Sequence, residues 1–244
     1  MKILLAPAET KKSGGELAPY KKENFFFKEF STTRDKVVQS YEELLKTSSL
    51  EEISQWFGLK KLDECEKYKK SILNKPTIKA IERYTGVAFD ALEYSSLEPN
   101  AKSYCDENVI IFSNLFGALR ADDLIPDYKF KQGAKLPNID VIKEYKTTIK
   151  EPLDFYLEDE VIDLRAEFYD KFYKPSANTI TFKFLKDAKV VSHWAKFYRG
   201  NILKQLAQNN ISSFSELMNM ELEGLNLIEI QEKKNIKTLI MEIK

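Results

Sequence analysis

Histidine occurs once, at position 193, and cysteine twice, at 65 and 105, in a chain of 244 residues. One histidine excludes a histidine-rich metal cluster. Two cysteines without CxxC spacing argue against a disulfide framework and against a thiolate zinc site. Neither GxxxxGK[ST] nor GxGxxG occurs, which removes the usual phosphate-loop and dinucleotide fingerprints. Apolar runs such as Val109-Ile110-Ile111-Phe112 are far too short to cross a bilayer. The apolar opening, Ile3-Leu4-Leu5, gives way at once to Pro7, Glu9, Lys11 and Lys12, unlike a secretory leader. The expectation is a soluble cytoplasmic protein that does not engage a membrane, with a monomer as the default state.

Net charge is absent as well, with 38 basic against 38 acidic groups. An overall basic excess, the usual mark of a nucleic-acid binder, is therefore lacking. The balance is uneven along the chain: residues 1–89 carry 17 basic and 13 acidic groups, residues 90–150 carry 8 and 10. Any basic surface has to arise by sorting charge in three dimensions.

What is present is an alternation of apolar runs and helical periodicities. Lys2 to Ala6, Asn108 to Ser113 and Val161 to Leu164 read as buried strands, and Thr179 to Leu185 alternates like a half-exposed one. Thr33 is a candidate N-cap for a helix carrying Val37, Val38, Tyr41, Leu44 and Leu45. A second helix begins near Ser49 and is broken by Gly58, and a third runs from Leu62 to about Leu73. The stretch past Pro76 to Leu92 reads as helical or irregular, and Leu115 to Asp123 as a loop with a short helix. Asp140 to Lys150 suggests another helix, and Lys189 to His193 a strand leading into one. Gly224 to Ile243 suggests a terminal β-hairpin around Glu232-Lys233-Lys234-Asn235. The expected architecture is a single mixed α/β domain over 1–244, with a central mixed sheet and a helical subregion near 33–75.

Several side chains carry candidate chemistry. His193 is the sole possible triad base, with a structural histidine as the plainer alternative. Cys65 and Cys105 fit structural thiols, although Lys67, Lys69 and Lys70 near Cys65 leave a redox role open. Arg120 with Asp122-Asp123 fits a loop-fixing ion pair or part of a site. Phe57-Gly58-Leu59-Lys60 between two helical runs has the outline of a helix-hairpin-helix. Its turn would aim backbone N–H groups at a phosphate, beside Lys60 and Lys61. An ordinary helix–turn–helix corner is the competing reading. A second basic group comprises Lys183, Lys186, Lys189, Lys196, Arg199 and Lys204, of which the last three share one broad helix face.

Taken in order, several segments resemble the YaaA family of bacterial peroxide-stress proteins. They are Ile3 to Lys11 with Ser13-Gly14-Gly15, Arg83-Tyr84-Thr85-Gly86-Val87, Ile111 to Arg120 continuing through Tyr128 to Gly133, Val161 to Lys174-Pro175, and Ser192 to Gly200. The resemblance spans nearly the whole chain. It implies a compact α/β fold with a positively charged cleft and a helix-hairpin-helix element, DNA binding, and a link to lower free intracellular iron. By the same resemblance, Thr10, Lys11, Gly117, Arg120, Asp123, Tyr128, Arg165, Glu167, Tyr169, Lys174, Lys196 and Arg199 are expected in the cleft. Glu9 stands where many relatives have lysine, and the Gly58 turn is poor in glycine.

Two functions follow as expectations. In the first, double-stranded DNA is the partner, with Lys11, Gly58, Lys60, Lys61, Arg120, Arg165, Lys174, Lys196 and Arg199 contacting it. In the second, the cleft is an enzyme site for a nucleobase, nucleoside or related small substrate, with Asp123, Glu167, Tyr169 and Arg120 as acids, bases and anchors. Neither assigns a cofactor or a metal, because oxygen ligands alone do not select iron.

Overall fold

The computed structural model describes residues 1–187, 189–191 and 193–244, and of Leu62 and His193 the backbone only. Strand β1 (Lys2–Leu5) lies at the centre because Ile3, Leu4 and Leu5 have no polar side to turn to water. It pairs in parallel with β4 (Val109–Ser113) on one side and with β7 (Glu160–Leu164) on the other. Such continuous apolar strands belong to sheets covered on both faces. Parallel β8 (Asn178–Lys186) and β11 (Ile236–Ile243) extend the sheet beyond β7. Antiparallel β10 (Leu225–Lys233) forms that edge, and β5 (Gly117–Arg120) the edge beside β4. With β9 (Lys189–Val190) on β8, the main sheet has eight strands among the described residues. A small second sheet joins β2 (Leu17–Pro19), β3 (Pro76–Lys79) and β6 (Leu124–Pro126).

The helical subregion holds α1 (Ser31–Thr47), α2 (Leu50–Phe57) and α3 (Leu62–Lys69). Helix α2 starts where its sequence says: Glu52 N–H donates to Ser49 Oγ while Ser49 N–H donates to the Glu52 carboxylate, a reciprocal capping box. Short α4 (Ala80–Arg83) and α5 (Val87–Leu92) and then α6 (Pro99–Asn108) precede β4. Helices α7 (Val141–Thr148) and α8 (Lys150–Leu157) precede β7, and α9 (His193–Gln208) and α10 (Phe214–Asn219) precede the terminal hairpin.

Four sequence expectations are corrected. Thr33 does not cap α1: it is buried inside the first turn, and Phe30 occupies the N-cap position without a side-chain cap. The third helix stops at Lys69, and Glu42 then accepts the Ile72 N–H at 2.9 Å. Leu115 to Asp123 contains a strand, because Ser113 Oγ accepts the N–H groups of Leu115 and Phe116 and folds the chain back along β4. Gly117 is required in that return, having a φ of 74° and the Tyr145 ring 2.5 Å from where a Cβ would sit. Pro76–Lys79 is also a strand, its partners β2 and β6 both being distant in sequence.

Two buried arginines tie irregular backbone into the body. Arg83 donates to the carbonyl oxygens of Lys12, Gly14, Pro76 and Ile125. Arg34 donates to those of Phe27, Phe116 and Ala118, with its guanidinium 4.2 Å from the Phe25 ring centroid. Among the described residues no helix is long and apolar enough to cross a membrane.

Candidate functional site

The chain leaves β1 toward β4 on one side and later crosses back to β7 on the other. Adjacent strands whose onward connections diverge leave a crevice at their carboxyl ends, where open α/β sheets bind ligands. Here that crevice is a cavity of about 390 Å³. Leu5 to Thr10 at the end of β1, Leu164 and Ala166 at β7, Asn114 after β4 and Thr85 to Phe89 line it. Lys196 and Arg199 of α9 overhang it, and they also line a second cavity of about 760 Å³ over β8 and β11, with Lys174 and Lys183. Sharing Ala166, Lys196 and Arg199, the two cavities form one trough.

Helix α9 reaches this position because Gly200 lies against α5: a Cβ there would fall 1.8 Å from the Ala88 carbonyl oxygen. The loop after β1 is stitched to the segment before α5. Thr10 Oγ1 donates to the Thr85 carbonyl at 3.0 Å, Thr85 N–H donates to the Thr10 carbonyl at 3.1 Å, and Lys12 N–H donates to that of Arg83 at 2.8 Å. Residues 10–12 and 83–85, far apart in sequence, thus build one wall.

Beneath that wall, Lys11 Nζ donates to the Ala8 and Glu9 carbonyls and lies 4.2 Å from the Tyr128 ring centroid. Burial first, and the charge of Lys129 second, draw its pKa down to about 7. The Tyr84 and Tyr128 hydroxyls meet at 2.7 Å, and Tyr128 meets Ser113 at 2.8 Å, a buried chain of hydroxyls below the cavity floor. Tyr169 lines the cavity, and burial pushes its phenol pKa far up. Asn114 is buried there too, its Oδ1 lacking a hydrogen-bond partner.

The family model described as peroxide stress protein YaaA matches residues 1–231. The chain belongs to the YaaA family of peroxide stress proteins. It is 43% identical over 244 residues to an uncharacterized protein of Campylobacter jejuni, covering all of this chain and 99% of that one. A UPF0246 protein of Corynebacterium efficiens is 32% identical over 254 residues, covering 99% of this chain and all of its own length. One of Streptomyces coelicolor is 33% identical over 215 residues, covering 84% of this chain and 82% of its own length.

The residues carried over from the YaaA resemblance separate into groups. Thr10, Tyr169, Lys196 and Arg199 line the crevice, and Arg165, Glu167 and Lys174 line the adjoining cavity. Arg165 is committed internally. It forms a bidentate pair with Asp163 at 2.9 and 2.7 Å, donates to the Tyr169 carbonyl and lies over Phe112, so its offer of a phosphate contact is not met. Lys11 is likewise turned under the wall. Tyr128 and Gly117 support the floor and the β4–β5 return.

Arg120 and Asp123 are not in the crevice. Arg120 pairs with Ile110 at the amino end of β4, the opposite end of the sheet, and clamps Asp122 at 2.5 and 2.6 Å. Asp123 accepts the N–H groups of Phe26 at 2.7 Å and Arg120 at 2.8 Å, and burial raises its pKa to about 6. Both are loop anchors.

Gly58 ends α2 in the left-handed conformation, and its N–H and that of Leu59 both donate to the Ser54 carbonyl. The turn thus uses these two donors within its own helix, and the N–H groups that open α3 are the ones left for a phosphate. Lys60 and Lys61 remain exposed, but Asp63 and Glu64 occupy the first turn of α3. A Cβ on Gly58 would lie 3.6 Å from Lys131, whose neighbour Gln132 lines the crevice.

Lys204 pairs with Glu93 at 2.5 Å, and Lys186 donates to the carbonyls of Ile243 and Lys244. The basic face of α9 thus reduces to Lys196 and Arg199. Acidic residues 158–160 stand at the start of β7, away from its carboxyl end. The side chain of His193, weighed as a triad base, lies outside the described residues. Cys65 and Cys105 are buried, and burial pushes the Cys105 thiol up to about 12. Sequence reasoning missed Asn114, Gln132, Gly86 and Gly200; only Asn114, directly after a clear strand, carried a local signal.

Proposed function

We propose that the trough at the carboxyl end of the sheet binds double-stranded DNA through its phosphates, largely without base readout, as part of limiting oxidative damage in the peroxide response. One observation carries this reading: Lys196 and Arg199 overhang the seam of both cavities with no hydrogen bond or ion pair to the described residues. Partly buried, the Arg199 guanidinium is pulled below its ordinary pKa by desolvation, and a phosphate would restore what water supplied. Lys183 extends the basic lining, Lys174 there being shared with Asp170 at 3.7 Å, and Lys131 leads toward Lys60 and Lys61. Glu158, Asp159 and Glu160 lie at the far end of β7, while Glu9, Asp163, Glu167 and Asp170 share the trough with the basic residues. We assign no iron ligand set and place any effect on free iron downstream of this binding.

The test compares duplex affinity by fluorescence anisotropy in low salt for wild type, Arg199→Gln and Arg120→Gln. Arg199→Gln is expected to weaken binding about tenfold, and Arg120→Gln, at the opposite end, to change it little. Equal losses, or no binding by wild type, contradict the reading.

A second reading is an enzyme acting on a nucleobase or nucleoside in the same cleft, with Lys11, its pKa drawn down to about 7, buried behind the wall beside Tyr84 and Tyr128. With Arg120 and Asp123 elsewhere, Glu167 and Tyr169 are its remaining acid–base candidates. Tyr169→Phe or Glu167→Gln abolishing peroxide protection while keeping DNA affinity would favour it; losses that track DNA affinity would reject it.

A further inference from the structure

The crevice between β1 and β7 carries a feature that phosphate binding does not use. Asn114 is 8% exposed, lines the cavity, and holds a buried carboxamide oxygen with no donor. The Tyr169 phenol interacts with this carboxamide, yet its oxygen has no donor among the described residues, and buried acceptors are nearly always paired, so it is open to a donor from outside. Leu5, Ala8, Leu164 and Phe89 give the same cavity an apolar lining. At the mouth stand Arg199 and Lys196. A buried acceptor, an apolar lining and two cations match a planar ring with an N–H donor joined to an anion. At about 390 Å³, the space lies in the range of small-ligand sites.

We propose that this crevice is a one-nucleotide pocket, in which a nucleobase donates from its amino or ring N–H to Asn114 Oδ1 while its phosphate is held by Arg199 and Lys196. The nucleotide has two possible sources, a free mononucleotide or a nucleotide turned out of bound DNA. The second rests on the DNA-binding reading above, and the first does not. Eversion is the general route by which a protein reads an edge that the duplex hides.

The experiment uses the full chain in two arms. Free cytidine and adenosine 5′-monophosphate are titrated calorimetrically against inorganic phosphate. In parallel, a duplex with one 2-aminopurine is titrated with anisotropy and base fluorescence read in the same tube. The pocket predicts that a mononucleotide binds at least about tenfold more tightly than phosphate, or that the 2-aminopurine signal rises as the duplex is bound. Asn114→Leu should remove the preference and, at saturating anisotropy, the rise. Ala166→Phe, which narrows the same slot while leaving Asn114 intact, should do likewise if the leucine variant fails to fold. Duplex binding with no fluorescence rise and no preference over phosphate overturns the pocket and leaves the DNA reading standing. A mononucleotide preference without duplex binding keeps the pocket and overturns the DNA reading. Failure of both arms overturns both.

Discussion

Gly200 and Ala88 touch through backbone alone: a Cβ on Gly200 would sit 1.8 Å from the Ala88 carbonyl oxygen. Alanine in mid-helix normally gains about 1 kcal/mol over glycine. Here the obstacle is main chain, which cannot swing aside, and overpacking of that kind costs about 1–3 kcal/mol. Gly200→Ala is therefore expected to lower stability in urea and to displace Lys196 and Arg199 from the seam, weakening duplex binding. Stability above wild type would show that α5 and α9 are not held this closely.

The buried arginines are expected to matter more than surface ion pairs. Arg83→Met leaves carbonyl oxygens of Lys12, Gly14, Pro76 and Ile125 without their donor. An orphaned buried acceptor costs about 1–3 kcal/mol, and partial relaxation makes several less than additive. A loss of roughly 3 kcal/mol is expected from chemical unfolding, with Lys237→Met, which breaks an exposed pair with Glu232, within about 0.5 kcal/mol of wild type. Similar losses from the two changes would contradict the role given to Arg83.

Lys11 sets a pH signature. Its folded-state pKa of about 7 lies below its ordinary 10.5, so between these values the unfolded chain holds the extra proton. The contribution of this group to stability therefore rises with pH across that window and is flat below about 7. Lys11→Met should lack that rise, a difference in slope of up to about 1.4 kcal/mol per pH unit. Urea midpoints from pH 6 to 10 measure it, and parallel profiles would place the Lys11 ammonium in water.

Both thiols are buried, and the Cys105 pKa is pushed up to about 12 by desolvation first and by Asp106 second. Thiolate is the reactive form, so neither cysteine is expected to be peroxidatic. Native protein should resist a thiol-modifying disulfide reagent, and Cys65→Ala/Cys105→Ala should retain peroxide protection. Rapid native labelling at either thiol would reverse this conclusion.

The sequence made the parallel strands legible because β1, β4 and β7 are buried on both faces and leave uninterrupted apolar runs. Capping made α2 and α7 legible for a local reason, Ser49 with Glu52 and Asp140 accepting the Lys143 N–H. Strands β3 and β5 were not legible, since Pro76 and Gly117 are usually breakers and their pairing is decided by partners. Half of the cleft followed from the resemblance, with Lys196, Arg199 and Tyr169 converging. Arg120 and Asp123 were misplaced because an Arg–Asp pair has the same composition whether it clamps a loop or a ligand. Only the strand register assigns them to the opposite end of the sheet. At Gly58 the sequence could not show that the N–H groups of Gly58 and Leu59 both go to the Ser54 carbonyl.

The central claim is that phosphate binding runs through Lys196 and Arg199. Duplex affinity measured by anisotropy across a salt series tests it most directly, comparing wild type with Lys196→Gln/Arg199→Gln. Each lost phosphate contact lowers the log–log salt slope by about 0.9, so the double variant should have a slope shallower by about 2. An unchanged slope, with affinity intact, would place the DNA surface elsewhere on the molecule.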